Sequence, residues 1–361
     1  MLRDFHALTI REVKRETPDA ISVTFDISEP LREAFRFQPG QHLTLRTDLN
    51  GEDVRRNYSI CAGPGDPLRV AIKRLDGGFF SRWANETLKA GAVIDVMPPQ
   101  GRFVLPPGDG SPRHVVAFAA GAGITPIIGI MKQALLTEPA TRVTLVYGNR
   151  IPQSILFREE LEDLKDRHLG RFTLLHVLSR NDESSTPLLE GRIDAEKVRA
   201  LSARLFPAED VAHAFLCGPG SMIKETRSTL FQMGFAREKV HHEFFAPGGG
   251  AFRKVPVGAD AAAPAARKEG AEVVAILDGI RHNFIVPPGQ QVVDAALAAG
   301  IRVPYACKGG MCCTCRAKLV EGRAEMLVNY SLESWEIERG FILTCQAVPK
   351  SERLVLDYDQ M

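Results

Sequence analysis

Two hydrophobic periodicities divide the chain. From Phe5 to about Phe103, short runs rich in β-branched and aromatic residues, AISVTFDI, QHLTLRT and LRVAIKRL, are cut by Pro- and Gly-bearing turns such as EPLREAFRFQPGQ and CAGPGDP. That pattern predicts an antiparallel β-barrel of roughly 100 residues. The runs then change character. HVVAFAA, RVTLVYGN, FTLLHVLS and AHAFLCG are apolar without alternation, as strands buried on both faces of a parallel sheet must be. Stretches with helical character separate them: ITPIIGIMKQALL after the first, SILFREELEDLKDR after the second, DAEKVRALSARL and SMIKETRSTLFQMG either side of the last. This order predicts an α/β doubly wound parallel sheet.

Between Ala246 and Gly270 the sequence APGGGAFRKVPVGADAAAPAARKEG carries Gly, Ala and Pro without apolar periodicity, and it predicts a flexible or extended tether. Beyond it, EVVAILDGIRHNFIV reads as a hairpin turning at Asp278-Gly279, followed by a short helix in QQVVDAALAAG.

Composition narrows the partners. Among 361 residues, 45 basic and 44 acidic side chains leave a net charge of +1, which removes the electrostatic reason to expect nucleic acid or an anionic membrane. No apolar run is long enough to span a bilayer, and MLRDFHALTI lacks the features of a secretory leader, so a cytoplasmic chain is expected. Thiols there stay reduced, and clustered cysteines read as metal ligands or catalytic groups rather than disulfides.

Four of the seven cysteines lie in CKGGMCCTC. Cys307, Cys312 and Cys315 are spaced C-x4-C-x2-C, and Cys345 follows after 29 intervening residues, the plant-type spacing for a 2Fe-2S cluster. A four-cysteine zinc site would show two C-x2-C knuckles. Gly309 and Gly310 are expected to take positive φ and turn amides towards the cluster. Cys313 reads as a small buried bystander. A one-electron cluster cannot accept hydride, so a converter is expected upstream, and flavin is the usual one.

Candidate flavin and nucleotide residues follow. In RRNYSI, Arg56 and Tyr58 share one face of a strand; a guanidinium suits phosphate and an aromatic ring suits stacking. In KRLDGGFFSRW, Gly77 and Gly78 precede Ser81 at the opening of a helix, where bare amides attract a pyrophosphate. In AAGAGITP, Gly121 and Gly123 permit close backbone approach, Thr125 is the expected helix cap and Pro126 fits the first turn. The turn departs from GxGxxG because Pro126 stands at the third glycine. His241 and His242 have no ligand spacing to match and read as solvated or structural.

VPYACKGGMCCTCRAKLVEGRAEM with LTCQA resembles the ferredoxin domains fused to flavin reductases, and RxYS followed by GGxxS is similar to the FAD barrel of the ferredoxin-NADP reductase family. GxGxTP, and Cys217, Gly218 and Pro219 in LCGPGSM, match that family's nucleotide motifs. The resemblance implies that Arg56 binds flavin phosphates, Tyr58 stacks on the isoalloxazine, Ser59 hydrogen-bonds near its N5, and Lys73, Gly77, Gly78 and Ser81 hold the remainder. Gly121, Gly123, Thr125 and Pro126 would bind the dinucleotide, with Cys217, Gly218 and Pro219 beside the nicotinamide. Glu243 and Phe245 in HHEFFAP would form the acidic-aromatic ending next to the flavin, with Phe244 as the alternative register. FAD is the expected flavin and FMN the alternative. Ser179 and Arg180 in HVLSRNDE, with Arg150 in YGNR, suit a 2'-phosphate, whereas Asp182 and Glu183 oppose one; NADPH is expected over NADH.

The expected domains are 1–104, an FAD-binding β-barrel; 105–245, an α/β NAD(P)-binding domain; 246–270, the linker; and 271–361, an α+β (β-grasp) plant-type ferredoxin domain. Over nearly its full length, through QHLTLRT, RRNYSIC, AGAGITPIIGI, EGRID, YACKGGMC and NYSLE, the chain resembles the reductase family of the multicomponent phenylacetyl-CoA epoxidase, departing in the linker and the MCCTC doublet. That implies NAD(P)H as donor and a multi-subunit di-iron oxygenase as acceptor. The alternatives are a reductase of an aromatic ring-hydroxylating dioxygenase or phenol hydroxylase and, from another class, a flavin and iron-sulfur redox sensor. Lys308, Met311 and Arg316 are candidates to face the acceptor.

Overall fold

The computed structural model describes residues 4–180, 186–245, 255–258 and 269–360. It divides into two compact units, Met1–Gly248 and Gly249–Met361.

The first unit opens with strands β1 (His6–Thr17), β2 (Ala20–Asp26), β3 (His42–Leu49), β4 (Glu52–Ser59) and β5 (Arg69–Lys73), helix α1 (Phe79–Thr87) and β6 (Val93–Gln100). Their antiparallel order is β4-β3-β6-β1-β2-β5. The sheet curls because Ile60, just past β4, bridges Val70 of β5, and Cys61 N donates to Arg69 O at 2.9 Å. One turn is not among the sequence expectations: Asn50 and Gly51 both have positive φ (60° and 82°) between paired Leu49 and Glu52, which is the two-residue hairpin that Asn-Gly favours.

The parallel sheet follows: β7 (His114–Ala120), α2 (Ile124–Thr137), β8 (Arg142–Asn149), α3 (Arg158–Arg167), β9 (Phe172–Leu178), α4 (Ala195–Leu205), β10 (Val211–Gly218), α5 (Gly220–Gln232) and β11 (Val240–Phe244), ordered β11-β10-β7-β8-β9. Alternation explains the unbroken apolar runs. Val115, Ala117 and Ala119 of β7 join Ile127 of α2 and Leu161 of α3 in one core, whereas Val116 and Phe118 join Val198 of α4 and Ile223 of α5 in another. The central strand β7 is thus covered on both faces. The first of these cores also takes in Ala20, Cys61, Ala71, Phe103 and Leu105 from the barrel lobe, so the two lobes share an interior.

The second unit contains β12 (Val255–Val257), β13 (Ala271–Leu277), β14 (Ile280–Val286), α6 (Val292–Ala298), β15 (Arg316–Glu321), β16 (Ala324–Met326), α7 (Ser334–Glu338), β17 (Phe341–Leu343), β18 (Ala347–Pro349) and β19 (Arg353–Asp357). A mixed sheet runs β14-β13-β19-β15-β17, and a small sheet runs β12-β16-β18. The Asp278-Gly279 turn forms as expected, with φ of 49° and 75°, and both amides donate to the Asp359 carboxylate at 2.9 and 2.8 Å. Within the segment expected to be a flexible or extended tether, three described residues form a strand. Val255–Val257 pairs antiparallel with Ala324–Met326, and Val257 is buried in the second unit's core. Residues 246–254 and 259–268 of that segment lie outside the described residues.

Candidate functional site

In the second unit, Cys307, Cys312 and Cys315 lie between α6 and β15, and Cys345 lies between β17 and β18. The thiols meet two by two. Cys312 hydrogen-bonds Cys307 and holds its thiol well below the usual range, while Cys312 itself is pushed up by the same bond and by burial. Cys315 and Cys345 form the second pair, with Cys345 low and Cys315 high. Amides of Gly309, Met311 and Cys312 turn onto the Cys307 sulfur, and that of Gly310 onto Cys345; the Gly309 N to Cys307 Sγ distance is 3.3 Å. Such a nest of N–H groups suits an anionic cluster. Among the described residues no three His, Cys, Asp or Glu side chains gather closely enough to hold a single metal ion. A two-plus-two arrangement suits two irons rather than one zinc.

The loop differs from expectation in detail. Gly310 is left-handed (φ 73°), and a Cβ there would sit 3.1 Å from Val328 O, but the other positive φ values belong to Lys308 (48°) and Cys313 (56°) rather than Gly309. The Cys313 thiol donates to Ser331 Oγ at 3.0 Å. Two neighbours of Cys345 in LTCQA, to which the sequence assigns no role, support the loop. Gln346 donates to Lys308 O at 2.7 Å, and Thr344 donates to Cys315 O at 2.8 Å while accepting from the buried Tyr358 hydroxyl at 3.0 Å. Arg316 does not face outward: it pairs with fully buried Glu336 at 3.0 Å and lies 3.6 Å over the Phe341 ring.

In the first unit, β4 carries exposed Arg56, half-buried Tyr58 and buried Ser59. Tyr58 packs on Phe80 of α1 at 5.7 Å, so the aromatic face is fixed by the helix that follows Gly77 and Gly78. The Ser81 hydroxyl accepts from Leu75 N at 3.1 Å and donates to Gly78 O at 3.3 Å, locking the glycine turn. Lys73 is engaged by Asp19 at 3.4 Å, which turns its ammonium towards β2.

The nucleotide motifs converge on one point. A Cβ at Gly123 would stand 2.0 Å from Cys217 O, so the glycine is required where α2 begins against the end of β10. Thr125 corrects one expectation. It lies inside α2, whose N-cap is Gly123, and its hydroxyl donates back to Ala122 O at 3.0 Å. Pro126 is in the first turn, and Pro219 is the N-cap of α5. Buried Tyr147, in the YGNR stretch quoted for Arg150, donates to Gly121 O at 3.0 Å and pins the turn. Ser179 N donates to Asn149 O at 3.0 Å and Arg180 N to Arg150 O at 2.9 Å, which gathers exposed Arg150, Ser179 and Arg180 at one corner. Asp182 and Glu183 lie outside the described residues.

Parallel pairing of β10 and β11 sets Cys217 beside Glu243 and Gly218 beside Phe244. Ser59 Oγ donates to Glu243 Oε2 at 3.1 Å across 184 residues of sequence. Glu243 keeps part of its surface, yet its carboxyl is desolvated, which raises it to about 7 against the lowering by Ser59. Burial, and then the Glu243 charge, push the Cys217 thiol up. Phe245 follows and is exposed. His241 and His242 are structural: His241 stacks on Phe215 at 4.7 Å and bonds His213 at 3.0 Å, and His242 accepts from Arg227 at 3.1 Å.

A curled flavin-type barrel, a parallel dinucleotide sheet and paired thiols on a further unit define an iron-sulfur flavoprotein oxidoreductase. Three family models match: the oxidoreductase FAD-binding domain over residues 7–105, the oxidoreductase NAD-binding domain over 118–228 and the 2Fe-2S iron-sulfur cluster binding domain over 275–350. The sequence is 42% identical to a component of the 1,2-phenylacetyl-CoA epoxidase of Escherichia coli (strain K12), covering 98% of both chains. It is 35% identical to the ferredoxin reductase component of 3-ketosteroid-9-alpha-monooxygenase of Rhodococcus rhodochrous, over 97% of this chain and 96% of that one. Phthalate dioxygenase reductase shares the fold over 98% of both chains, with a TM-score of 0.56 and 22% identity. An intact type IV self-sufficient cytochrome P450 monooxygenase aligns with a TM-score of 0.67 and 21% identity, this chain spanning 41% of its length. The chain belongs to the family of FAD- and 2Fe-2S-dependent reductase components that includes this Escherichia coli epoxidase component.

The residues fit the groups this family carries. Gly77 (φ 71°) and Gly121 (φ 53°) both face open space, with no atom within 4 Å of where a Cβ would be, as a backbone approached by phosphate requires. The paired, amide-capped thiols supply the four-sulfur donor set of a 2Fe-2S cluster. No described helix is long and apolar enough to cross a membrane.

Proposed function

We propose that this chain carries electrons from NADPH to a multi-subunit di-iron oxygenase that epoxidises phenylacetyl-CoA, within the cytoplasm. The observation that carries the reading is the meeting of Ser59, Glu243, Cys217 and Gly123, which joins the flavin motif to both nucleotide motifs at one point. Identity of 42% over 98% of the chain to a phenylacetyl-CoA epoxidase component supports the acceptor. The corner of Arg150, Ser179 and Arg180 supports NADPH as the donor, since a 2'-phosphate needs cationic and hydroxyl partners at that strand end.

Bound flavin supplies the conversion of a two-electron donor into single electrons, which the 2Fe-2S cluster carries one at a time. The chain's own residues provide the setting. Arg56 binds flavin phosphate, Tyr58 presents its ring to the isoalloxazine, and the turn of Gly77, Gly78 and Ser81 offers amides to the remainder. Gly121, Gly123, Thr125 and Pro126 bring the dinucleotide to the end of β10, where Cys217, Gly218 and Pro219 border the nicotinamide and Phe245 closes the flavin edge. The Ser59 hydroxyl holds a proton towards Glu243 Oε2. Because burial raises the Glu243 carboxyl to about 7, that carboxyl can take up or release its own proton near neutral pH, while the Ser59 proton stays on its hydroxyl. Cys307, Cys312, Cys315 and Cys345 ligate the cluster, and Cys313 does not.

Residues 246–270 are the tether of this reading, with β12 as a fixed point inside it. Deleting residues 271–361 is the test: it preserves NADPH-driven ferricyanide reduction and abolishes turnover with the purified phenylacetyl-CoA oxygenase subunits. Loss of both activities contradicts separable roles. Full-length protein that reduces ferricyanide yet never supports those subunits contradicts the acceptor, and equal or better turnover with NADH overturns the choice of donor.

A further inference from the structure

We infer that Asp66, Arg69, Lys132 and Glu160 form a charged strut that fixes the spacing between the flavin lobe and the nucleotide lobe of the first unit, acting as positioning residues for flavin reduction. The inference rests on the function proposed above and adds to it what holds donor and flavin in register.

The geometry is continuous. Arg69, on β5, donates through one terminal nitrogen to both Glu160 oxygens, at 2.9 and 2.8 Å. Glu160 is on α3 and also pairs with Lys132 of α2. Lys132 in turn donates to Asp66 Oδ2 at 2.6 Å, back in the barrel lobe. All four side chains are largely enclosed, with exposures of 19% for Arg69, 25% for Glu160, 13% for Lys132 and 34% for Asp66. Two cations and two carboxylates balance, so none of the four is left as an uncompensated buried charge.

Both ends of the strut lead to the site. Arg69 also donates to Cys61 O at 3.0 Å, two residues beyond Ser59, and Asp66 accepts from Gly63 N at 2.9 Å. On the nucleotide side, in the middle of the network, Lys132 belongs to α2, the helix whose start is the nucleotide turn at Gly123. The lobes touch without slack between these points. A Cβ at Gly63 would stand 2.6 Å from Lys132 Cβ, and one at Gly129 would stand 2.7 Å from Ala62 O. A shared apolar core alone is non-directional and tolerates sliding, whereas paired charges fix register. The strut therefore holds the flavin lobe and the nucleotide lobe in one register.

The test is rapid mixing of the full-length, cofactor-loaded protein with NADPH. The variants are Glu160→Gln and Asp66→Asn, which keep side-chain shape and each remove one charge, and Lys132→Arg as the conservative control. Flavin content is measured first. The limiting rate of flavin bleaching, the half-saturating NADPH concentration and the long-wavelength charge-transfer absorbance formed on mixing are then read separately. The strut predicts full flavin content, a limiting rate reduced at least about tenfold in Glu160→Gln, towards the roughly hundredfold that a displacement of about 1 Å can produce, and a weakened charge-transfer band. Lys132→Arg should recover most of both. Variants that retain flavin and match the unaltered protein in limiting rate and charge-transfer band would overturn the inference. So would loss of flavin from both isosteric variants, which would place the network in folding alone. An unaltered protein whose flavin NADPH does not bleach contradicts the proposed function instead.

Discussion

At the residue scale, the contact between Ser59 and Glu243 carries the most consequence, because it couples a barrel residue to the last strand of the parallel sheet. Glu243 is raised from an ordinary 4.5 to about 7 by desolvation. A carboxyl raised on folding binds its proton more tightly in the folded chain. Its contribution to stability is therefore complete below pH 4.5 and is lost as pH rises through about 7. Glu243→Gln should remove that loss, and thermal unfolding of the flavin-free protein at pH 8 should show the variant more stable by about 3 kcal/mol, with no gain at pH 4. The cysteine doublet makes a second prediction. The Cys313 thiol donates to Ser331 Oγ, and its position falls outside the C-x4-C-x2-C spacing, so Cys313→Ser keeps the visible cluster absorption and two irons per chain, whereas Cys312→Ser loses most of both. Iron and sulfide analysis of the two proteins checks it.

At the element scale, β12 turns part of an expected tether into a fixed strand. Val257 is 5% exposed and packs in the core of the second unit, and Val255–Val257 supplies the outer strand of the β16 and β18 sheet. Val257→Asp should destabilise that unit by about 3 kcal/mol, read as a lower midpoint for loss of cluster absorption on heating, with flavin absorption unaffected. The strand is illegible in the sequence for a physical reason. Val255 and Val257 flank a proline in a stretch dominated by Gly and Ala, and three residues are too few to display a period of two. They become a strand because Ala324–Met326 offers an edge. The longer elements were legible, since β7, β8 and β10 are buried on both faces and read as continuous apolar runs, and the edge strand β9, though partly exposed, is apolar enough to read the same way. The Asp278-Gly279 turn was legible from chemistry alone. Thr125 is not the cap, because the 3-10 turn at Gly121–Gly123 starts the helix earlier than the Thr-Pro pair suggests.

At the scale of the whole molecule, the motifs gave the order of cofactors, and the supports around them came from packing. Tyr147 lies in YGNR, and Thr344 and Gln346 in LTCQA, stretches marked for other residues, and Tyr358 lies in none; yet their side chains hold the nucleotide turn and the cysteine loop. No spacing rule reaches such residues, because each is selected by a partner distant in sequence. The central claim is that electrons enter at the flavin and leave through the paired thiols. Anaerobic titration of the full-length protein with NADPH, followed by absorption and low-temperature paramagnetic resonance, tests it most directly. The account predicts that flavin absorption bleaches and that a rhombic iron-sulfur signal grows with it to a single unpaired spin per chain. A flavin that bleaches while the cluster stays silent, or a nucleotide that bleaches neither, would contradict it.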